Sequence, residues 1–318
     1  MILNYFKKLF YCIYVLFYMI VCGKLNNIPI KELQIDYSQE IFSIWPNVYQ
    51  NAFNSKIKTR GNFIVSNRVD IVIANHVSYL DNLYILSIIK SKTPKNIYIV
   101  AKKDLSKVPV LSLFVNKKNH ILLSRNFEDD KEIIINSLKN IDNGIIFIFP
   151  EGTRQNKKKL INSLEYSKSN NLTQYNNLLY PRMKGLHLII TGLADTNKLG
   201  NIISITSCIE NLKNKDAGLK HMFLKKIGDT FCDIQSYKYN YNINDYDTFK
   251  TWFLMIWDNM EHCLDTLKSD KEDVFKDFHK IEYRLKTSSY ILHLACGLII
   301  FFYFKTIINF NFKKKVTV

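Results

Sequence analysis

Apolar runs alternate with amphipathic stretches between residues 69 and 152. Short apolar runs typical of buried strands occur at "VDIVIA", "NIYIVAK", "HILLSR" and "GIIFIFPEG". The stretches between them, "YLDNLYILSIIK", "LSKVPVLSLFV" and "EDDKEIIINSLKNI", have helical spacing, and the last opens with acids that suit a helix N-terminus. Strands that alternate with helices predict an α/β fold with a mostly parallel sheet flanked by helices.

Beyond residue 155 the alternation is less regular. "NKKKLINSLEYSKSNN" predicts a lysine-rich helix, and "NIISITSCI" predicts a further strand. A long amphipathic helix is predicted at "DTFKTWFLMIWDNMEHCLDTLK", because five large apolar residues share one face: Phe249, Trp252, Phe253, Ile256 and Trp257. No internal repeat or Pro/Gly-rich linker divides this part of the chain, so we expect one main domain over residues 25–285.

Both ends of the chain are apolar. "LFYCIYVLFYMIVCG", residues 9–23, has lysines on both sides and predicts a membrane anchor within residues 1–24, although it is shorter than the roughly 20 residues of a full span. A cleaved signal peptide and a buried core helix are the alternatives. "SSYILHLACGLIIFFYF", residues 288–304, repeats the pattern and predicts a second membrane segment, with a basic tail, within residues 286–318.

The chain is strongly basic. Its 318 residues carry 44 Lys and Arg against 28 Asp and Glu, a formal net charge of +16. Such a field favours nucleic acid, an anionic membrane face or polyanionic small molecules, but lysine enrichment alongside Asn, Ile and Tyr is also expected from an AT-rich coding sequence. Only six of the basic residues are arginines, and a guanidinium grips phosphate bidentately, so the positions of Arg125, Arg154 and Arg182 are informative.

The cysteines indicate neither a disulfide framework nor a zinc site. None of them has the spacing of metal ligands, and they are typical of small hydrophobic residues in a reducing environment. They are Cys12, Cys22, Cys208, Cys232, Cys263 and Cys296.

A histidine and an aspartate stand close together in "ANHVSYLD", residues 74–81. His76 comes just after a predicted strand, where open α/β sheets place their working groups, and Asp81 could orient the imidazole and stabilise its protonated form. No nucleophile elbow is present and Ser78 is too close to His76 to act independently, so the pair would activate a hydroxyl carried by the substrate. A structural interpretation, in which Asp81 only caps a helix, fits this stretch equally well.

A second polar block, "FPEGTR", also ends a predicted strand. In a parallel sheet it would lie at the same edge as His76. Gly152 would let backbone amides approach a ligand, Thr153 offers a hydroxyl, and Arg154 offers a phosphate-binding fork.

Together the two blocks resemble those of the glycerolipid acyltransferases, which include the lysophosphatidic acid acyltransferases. The matching residues are Asn75, His76 and Asp81 for NHxxxxD, and Pro150, Glu151, Gly152, Thr153 and Arg154 for PEGTR. "HILLSRNFEDDK" resembles the family's second block and places Arg125 at its arginine. "LLYPRMKGL", with Arg182, is similar to an element of the lysocardiolipin and lysophosphatidylinositol acyltransferase branch.

The resemblance implies transfer of a fatty acyl chain from acyl-CoA to the hydroxyl of a lysophospholipid. His76 would be the general base and Asp81 would hold its tautomer. The residues implied to bind the acceptor's phosphate are Arg125, Glu151, Gly152, Thr153 and Arg154, with Asn75, Pro150 and Arg182 in support. Acyl-CoA is the co-substrate, and neither a metal nor a redox cofactor is implied. The implied partners are the lysophospholipid, acyl-CoA and membrane lipids, and the implied location is a membrane, an endomembrane such as the endoplasmic reticulum in a eukaryotic cell.

Three other functions fit parts of the sequence. A CoA-independent phospholipid transacylase would use the same residues with a different donor. A catalytically silent lipid-binding homologue would keep the fold without the reaction. A nucleic-acid-binding protein would explain the charge, but the chain has no RRM, zinc-finger or helix-turn-helix signature, so we expect no nucleic-acid partner.

Overall fold

The computed structural model describes most of the region between residues 45 and 281. The described residues are 45–107, 119–212, 227–239, 245–269 and 272–281, together with Phe10, Ile13, Tyr14, Phe17, Tyr18, Val21, Gln39, Phe42 and Val115. The predicted membrane segment at residues 288–304 lies outside them, and so does most of the segment at 9–23. Within the described part of the chain, no helix combines the length and the apolar character that crossing a bilayer requires.

The helices and strands occur along the chain in the following order. They are α1 (Trp45–Phe53), β1 (Ile57–Gly61), β2 (Val69–Ala74), α2 (Asp81–Lys92), β3 (Ile97–Lys102), β4 (His120–Leu123), α3 (Phe127–Lys139), β5 (Gly144–Ile148), α4 (Lys157–Ser169), α5 (Met183–Asp195), β6 (Leu199–Ile209), β7 (Thr230–Lys238), α6 (Tyr246–Lys268) and β8 (His279–Lys280). The strand and helix predictions for residues 69–102 and 120–148 are confirmed. The short helix predicted at residues 105–115 is a 3-10 turn up to residue 107, and residues 108–114 lie outside the described part.

The strands form one sheet in the order β4-β3-β5-β2-β6-β7-β1-β8. The pairs β4–β3, β3–β5, β5–β2, β2–β6 and β7–β1 are parallel, whereas β6–β7 and β1–β8 are antiparallel. The predicted α/β class with a mostly parallel sheet is therefore confirmed. The sequence did not predict α1, β1, β7, β8 or α5.

The sheet is covered on both faces, which explains why its central strands β2 and β5 are mainly apolar. All six residues of β2 are buried, and they alternate between two cores. Val72 packs with α1 and α2 on one face, whereas Ile71 and Ile73 pack with α3, α5 and α6 on the other. Of the described positions in the apolar N-terminal segment, Tyr18 is buried in the first core.

The long helix α6 has the amphipathic character that the sequence predicts. Asp245 caps its N-terminus by accepting a hydrogen bond from the Thr248 amide. Phe249, Phe253 and Trp257 are fully buried in the second core. The described cysteines Cys208, Cys232 and Cys263 are also buried, in agreement with the prediction of small hydrophobic residues.

Gly61 ends β1 in a conformation that an alanine would strain. Its φ is +83°, and an added Cβ would lie 2.0 Å from the Ile234 carbonyl oxygen of β7. We expect Gly61→Ala to lower the free energy of unfolding by about 2–3 kcal/mol, because an L side chain is strained there and the sheet fixes that carbonyl.

Thermal unfolding of purified protein in detergent measures this change. Gly185→Ala in α5 is the matched control, since the closest atom that its Cβ would meet is Ile134 Cδ1 at 3.9 Å. Alanine also favours a helix more than glycine does, so the control should be neutral or stabilised. Equal melting temperatures for wild type and Gly61→Ala would contradict the prediction.

Candidate active site

His76 lies just beyond the C-terminal end of β2 and is bound to Asp81. The distance from His76 Nδ1 to Asp81 Oδ2 is 2.8 Å. The same oxygen accepts hydrogen bonds from the Val77 and Ser78 amides at 2.7 and 2.8 Å, so the carboxylate also organises the turn. The Asp81 side chain is fully buried, whereas that of His76 is 18% exposed. Nδ1 therefore donates to the carboxylate, and Nε2 is the nitrogen left to act as a base.

A buried polar network continues from Asp81 to strand β6. The Tyr84 hydroxyl donates to Asp81 Oδ1 at 2.8 Å and is hydrogen-bonded to Ser207 Oγ at 2.7 Å. Asn75 accepts from the Ser207 amide at 2.8 Å and donates to its carbonyl at 3.0 Å. Burial raises the pKa of Tyr84 well above its ordinary value, so its hydroxyl remains a donor. Asn75 thus joins the His76 loop to β6, and Tyr84 and Ser207 belong to the same network although the sequence did not indicate them.

The Phe149 ring covers one face of the imidazole. The ring centroids of Phe149 and His76 are 4.0 Å apart, with an interplanar angle of 16°. Phe149 directly follows β5, so the strand that carries "FPEGTR" also supplies this apolar contact. Stacking limits rotation of the imidazole and leaves its position defined by Phe149 and Asp81 together.

Glu151 is buried beneath the site and binds the main chain. It is only 2% exposed, and its two carboxylate oxygens accept hydrogen bonds from the His76 amide at 2.7 Å and the Leu179 amide at 3.2 Å. Burial raises the pKa of Glu151 to about 8, and the two amide hydrogen bonds act in the opposite direction. This placement differs from the phosphate-binding role that the resemblance implies for Glu151, because the carboxylate does not face the open edge.

Two of the predicted arginines lie beside Gly152. Arg125 is exposed and its Nη2 donates to the Gly152 carbonyl at 2.9 Å. Asp130 holds the backbone of Arg125, whose φ is +75°, by accepting from its amide at 2.8 Å. Gly152 has a φ of +66°, and a Cβ there would lie 2.8 Å from Arg182 Cδ. The Arg182 amide donates to the Pro150 carbonyl at 2.7 Å.

The remaining predicted residues, Thr153 and Arg154, face α4 and the His76 loop. The guanidinium carbon of Arg154 lies 4.3 Å from the centroid of the Tyr79 ring, which is half exposed. Lys159 Nζ donates to Thr153 Oγ1 at 2.5 Å and to the Arg154 carbonyl at 2.9 Å. Lys159, in the lysine-rich helix that the sequence predicts after this block, therefore adds a positive charge to the loop.

The His76 loop and the "FPEGTR" loop form one structure. Strands β2 and β5 are adjacent and parallel, so their carboxyl ends meet at the same edge of the sheet. The Gln155 amide donates to the His76 carbonyl at 2.7 Å, which joins the two loops directly. The predicted common edge is confirmed, and it carries an imidazole together with three arginines and a lysine.

The fold and this edge bring together the two blocks that resemble those of the glycerolipid acyltransferases. Residues 56–187 match the family model described as Acyltransferase.

Several acyltransferases are similar to part of this chain. The chain is 27% identical to an uncharacterized acyltransferase of Saccharomyces cerevisiae over 231 residues, which cover 61% of this chain and 58% of that protein. It is 32% identical to lysophosphatidylinositol acyltransferase 10 of Caenorhabditis elegans over 142 residues, which cover 42% of this chain and 36% of that protein. The chain thus spans about half the length of the curated relatives it matches.

The solved structure is the 1-acyl-sn-glycerophosphate acyltransferase PlsC of Thermotoga maritima. The TM-score is 0.57 at 17% sequence identity, with 85% of this chain and 98% of that chain covered. At that identity the likeness shows the fold alone.

Proposed function

We propose that the protein is an acyl-CoA-dependent O-acyltransferase that acylates the hydroxyl of a lysophospholipid. The observation that carries this proposal is the hydrogen bond from His76 to buried Asp81 at a sheet edge rich in arginine. The site presents a base for the hydroxyl and cations for the phosphate of one acceptor molecule. The match to the Acyltransferase family model, and the similarity to a lysophosphatidylinositol acyltransferase, support this class of acceptor.

In the proposed reaction, His76 Nε2 removes the proton of the acceptor hydroxyl while its oxygen attacks the thioester carbonyl carbon of acyl-CoA. The new C–O ester bond forms and the C–S bond breaks. The proton held by the imidazole then passes to the departing CoA thiolate, which returns His76 to its neutral form. Asp81 stabilises the transient imidazolium and keeps Nδ1 as the donor to its own carboxylate.

The acceptor's phosphate is proposed to bind at the arginines of the same edge. Arg125 and Arg154 lie on the loops after β4 and β5, and a guanidinium suits phosphate because it donates two parallel hydrogen bonds. Thr153 and the Gly152 loop complete this subsite. We assign Glu151 to holding the loops in place, because its carboxylate is occupied by two amides.

We further propose that the protein works at a membrane surface, where lysophospholipids and their products reside. The net charge of +16 suits anionic headgroups. Residues 25–285 would form the acyltransferase domain, with residues 1–24 and 286–318 holding it at the membrane through their apolar stretches. In a eukaryotic cell this membrane would be an endomembrane such as the endoplasmic reticulum.

An acyl-transfer assay tests the proposed function. Membranes containing the protein are incubated with labelled acyl-CoA and, separately, lysophosphatidic acid, lysophosphatidylinositol and lysocardiolipin. We expect labelled phospholipid from at least one acceptor, with one free CoA thiol released for each acyl chain transferred. Membranes without the protein are the control.

Two other outcomes separate the alternatives. Product formed only from a labelled phospholipid donor, without acyl-CoA, would indicate a transacylase. No product from either donor, with lysophospholipid binding retained, would indicate a catalytically silent lipid-binding protein and would contradict the proposal.

A further inference from the structure

The main chain of His76 is hydrogen-bonded on both sides to groups that converge on residues 177–179. On one side, the His76 amide donates to Glu151 Oε1 at 2.7 Å, and Glu151 Oε2 accepts from the Leu179 amide at 3.2 Å. On the other side, the His76 carbonyl accepts from the Gln155 amide at 2.7 Å, and Gln155 Nε2 donates to the Asn177 carbonyl at 2.7 Å. These bonds form a closed circuit around the histidine.

The circuit supplies the peptide groups of His76 with hydrogen-bond partners that the sheet no longer provides. Strand β2 ends at Ala74, so the peptide groups of His76 have left the ladder of hydrogen bonds that fixes the strand. Peptide groups in a buried or half-buried position need other partners. Glu151 and Gln155 provide these partners, and both are tied in turn to residues 177–179.

Residues 177–179 are themselves anchored to helix α6. Asn177 is 8% exposed, and its side chain donates to Asp265 Oδ1 at 2.6 Å and accepts from Lys268 Nζ at 2.7 Å. Trp257 Nε1 donates to the Leu179 carbonyl at 3.2 Å. Helix α6 is thus connected to His76 through three consecutive hydrogen bonds on each side.

The Asn177 loop is also fixed through its backbone. Both the Asn176 and Asn177 amides donate to Glu261 Oε1, at 2.7 and 2.9 Å. The segment therefore has little freedom to follow a displaced His76, and it acts as a fixed support.

We propose that Gln155 and Asn177 are positioning residues that hold the imidazole of His76 for proton removal. Asp81 and Phe149 set the orientation of the ring, and the main-chain circuit holds both peptide groups of His76. The inference rests on the proposed function of His76 as the base. Neither residue touches the substrate in this assignment, and both act through the backbone of His76.

Gln155→Ala tests the inference because it removes the bond to Asn177 and leaves the Gln155 amide on the His76 carbonyl. We expect kcat to fall about 10- to 100-fold, since a displacement of about 1 Å of a catalytic group has an effect of that order. The KM for the lysophospholipid should stay within about twofold of wild type, because the arginines are unchanged. Gln155→Met, which has similar length but no donor, should behave like Gln155→Ala.

Gln235→Ala is the matched control. The Gln235 side chain also makes two hydrogen bonds, to Asp233 at 3.2 Å and from Tyr237 at 2.8 Å, but it lies on β7 outside the circuit. Its kcat should equal that of wild type. Melting temperatures of all variants distinguish a displacement of His76 from unfolding of the protein.

Two further measurements distinguish positioning from a general structural role. In a His76→Ala background, Gln155→Ala should leave the residual rate unchanged, because its effect passes through the histidine. In protein with 15N-labelled histidine, the downfield Nδ1–H resonance of His76 should broaden in Gln155→Ala and persist in Gln235→Ala.

The results of these experiments distinguish a failure of this inference from a failure of the proposed function. An inactive wild-type protein would contradict the proposed function, and the resonance measurement would still decide whether Gln155 positions His76. A Gln155→Ala protein with wild-type kcat and an unchanged resonance would overturn the inference. So would a variant whose KM rises while its kcat stays constant.

Discussion

Replacing His76 with alanine is expected to lower kcat for acyl transfer by about 10²- to 10⁴-fold, the range that a positioned general base contributes. In the proposed reaction the imidazole accepts the proton of the acceptor hydroxyl, and its removal leaves the arginines of the edge in place. The substitution should not unfold the protein. Asp81 keeps its hydrogen bonds from the Val77 and Ser78 amides and the Tyr84 hydroxyl, so no buried carboxylate is left without partners.

The measurement is transfer of label from acyl-CoA to the lysophospholipid that wild type accepts best, together with the melting temperature and binding of the same lysophospholipid. His262→Ala is the control, because His262 is exposed on α6, far along the chain from the loops of the site. It should retain wild-type kcat. A His76→Ala protein with wild-type kcat would leave the His–Asp pair with only the structural role of ordering the turn before α2.

The parts of the fold that the sequence predicts are those with a strong local pattern. Strand β2 is buried on both faces, so all its residues except Asp70 are apolar and the run is visible without any knowledge of its neighbours. Helix α6 repeats large apolar residues on one face. Strand β1, "IKTRG", has no such pattern because it lies near the edge of the sheet. It is stabilised by pairing with β7, about 170 residues later in the chain, and such distant pairing leaves no periodicity in a short segment.

The same distinction applies to the site. His76 and Asp81 were predictable because both stand in one short stretch after a strand. Arg154 was predictable because it stands in the polar block that directly follows β5. Ser207 reaches the site only because β6 pairs with β2, which no local pattern reveals. The role of Glu151 depends on how deeply it is buried, and burial depth follows from the packing of the loops around it.

Glu151→Gln is expected to change the pH dependence of stability more than any other single substitution in the site. Burial raises the pKa of Glu151 from 4.5 to about 8, so between these two pH values the folded protein holds a proton that the unfolded chain has released. The free energy of unfolding of wild type should therefore fall as pH rises through this window. The total contribution is about 5 kcal/mol, present below pH 4.5 and lost above about pH 8.

The glutamine variant has no proton to release, so it should lack this pH-dependent contribution. It still accepts the hydrogen bond from the His76 amide, but its amide group cannot accept from both His76 and Leu179, which costs about 1–3 kcal/mol at every pH.

Denaturant unfolding in detergent at pH 5 and pH 8.5 measures both effects. The stability of wild type relative to Glu151→Gln should fall by several kcal/mol between the two values. Glu165→Gln, on the exposed surface of α4, is the control and should show no such change. A difference between wild type and Glu151→Gln that stays constant with pH would mean that the Glu151 carboxyl is ionised throughout, held by its two amides.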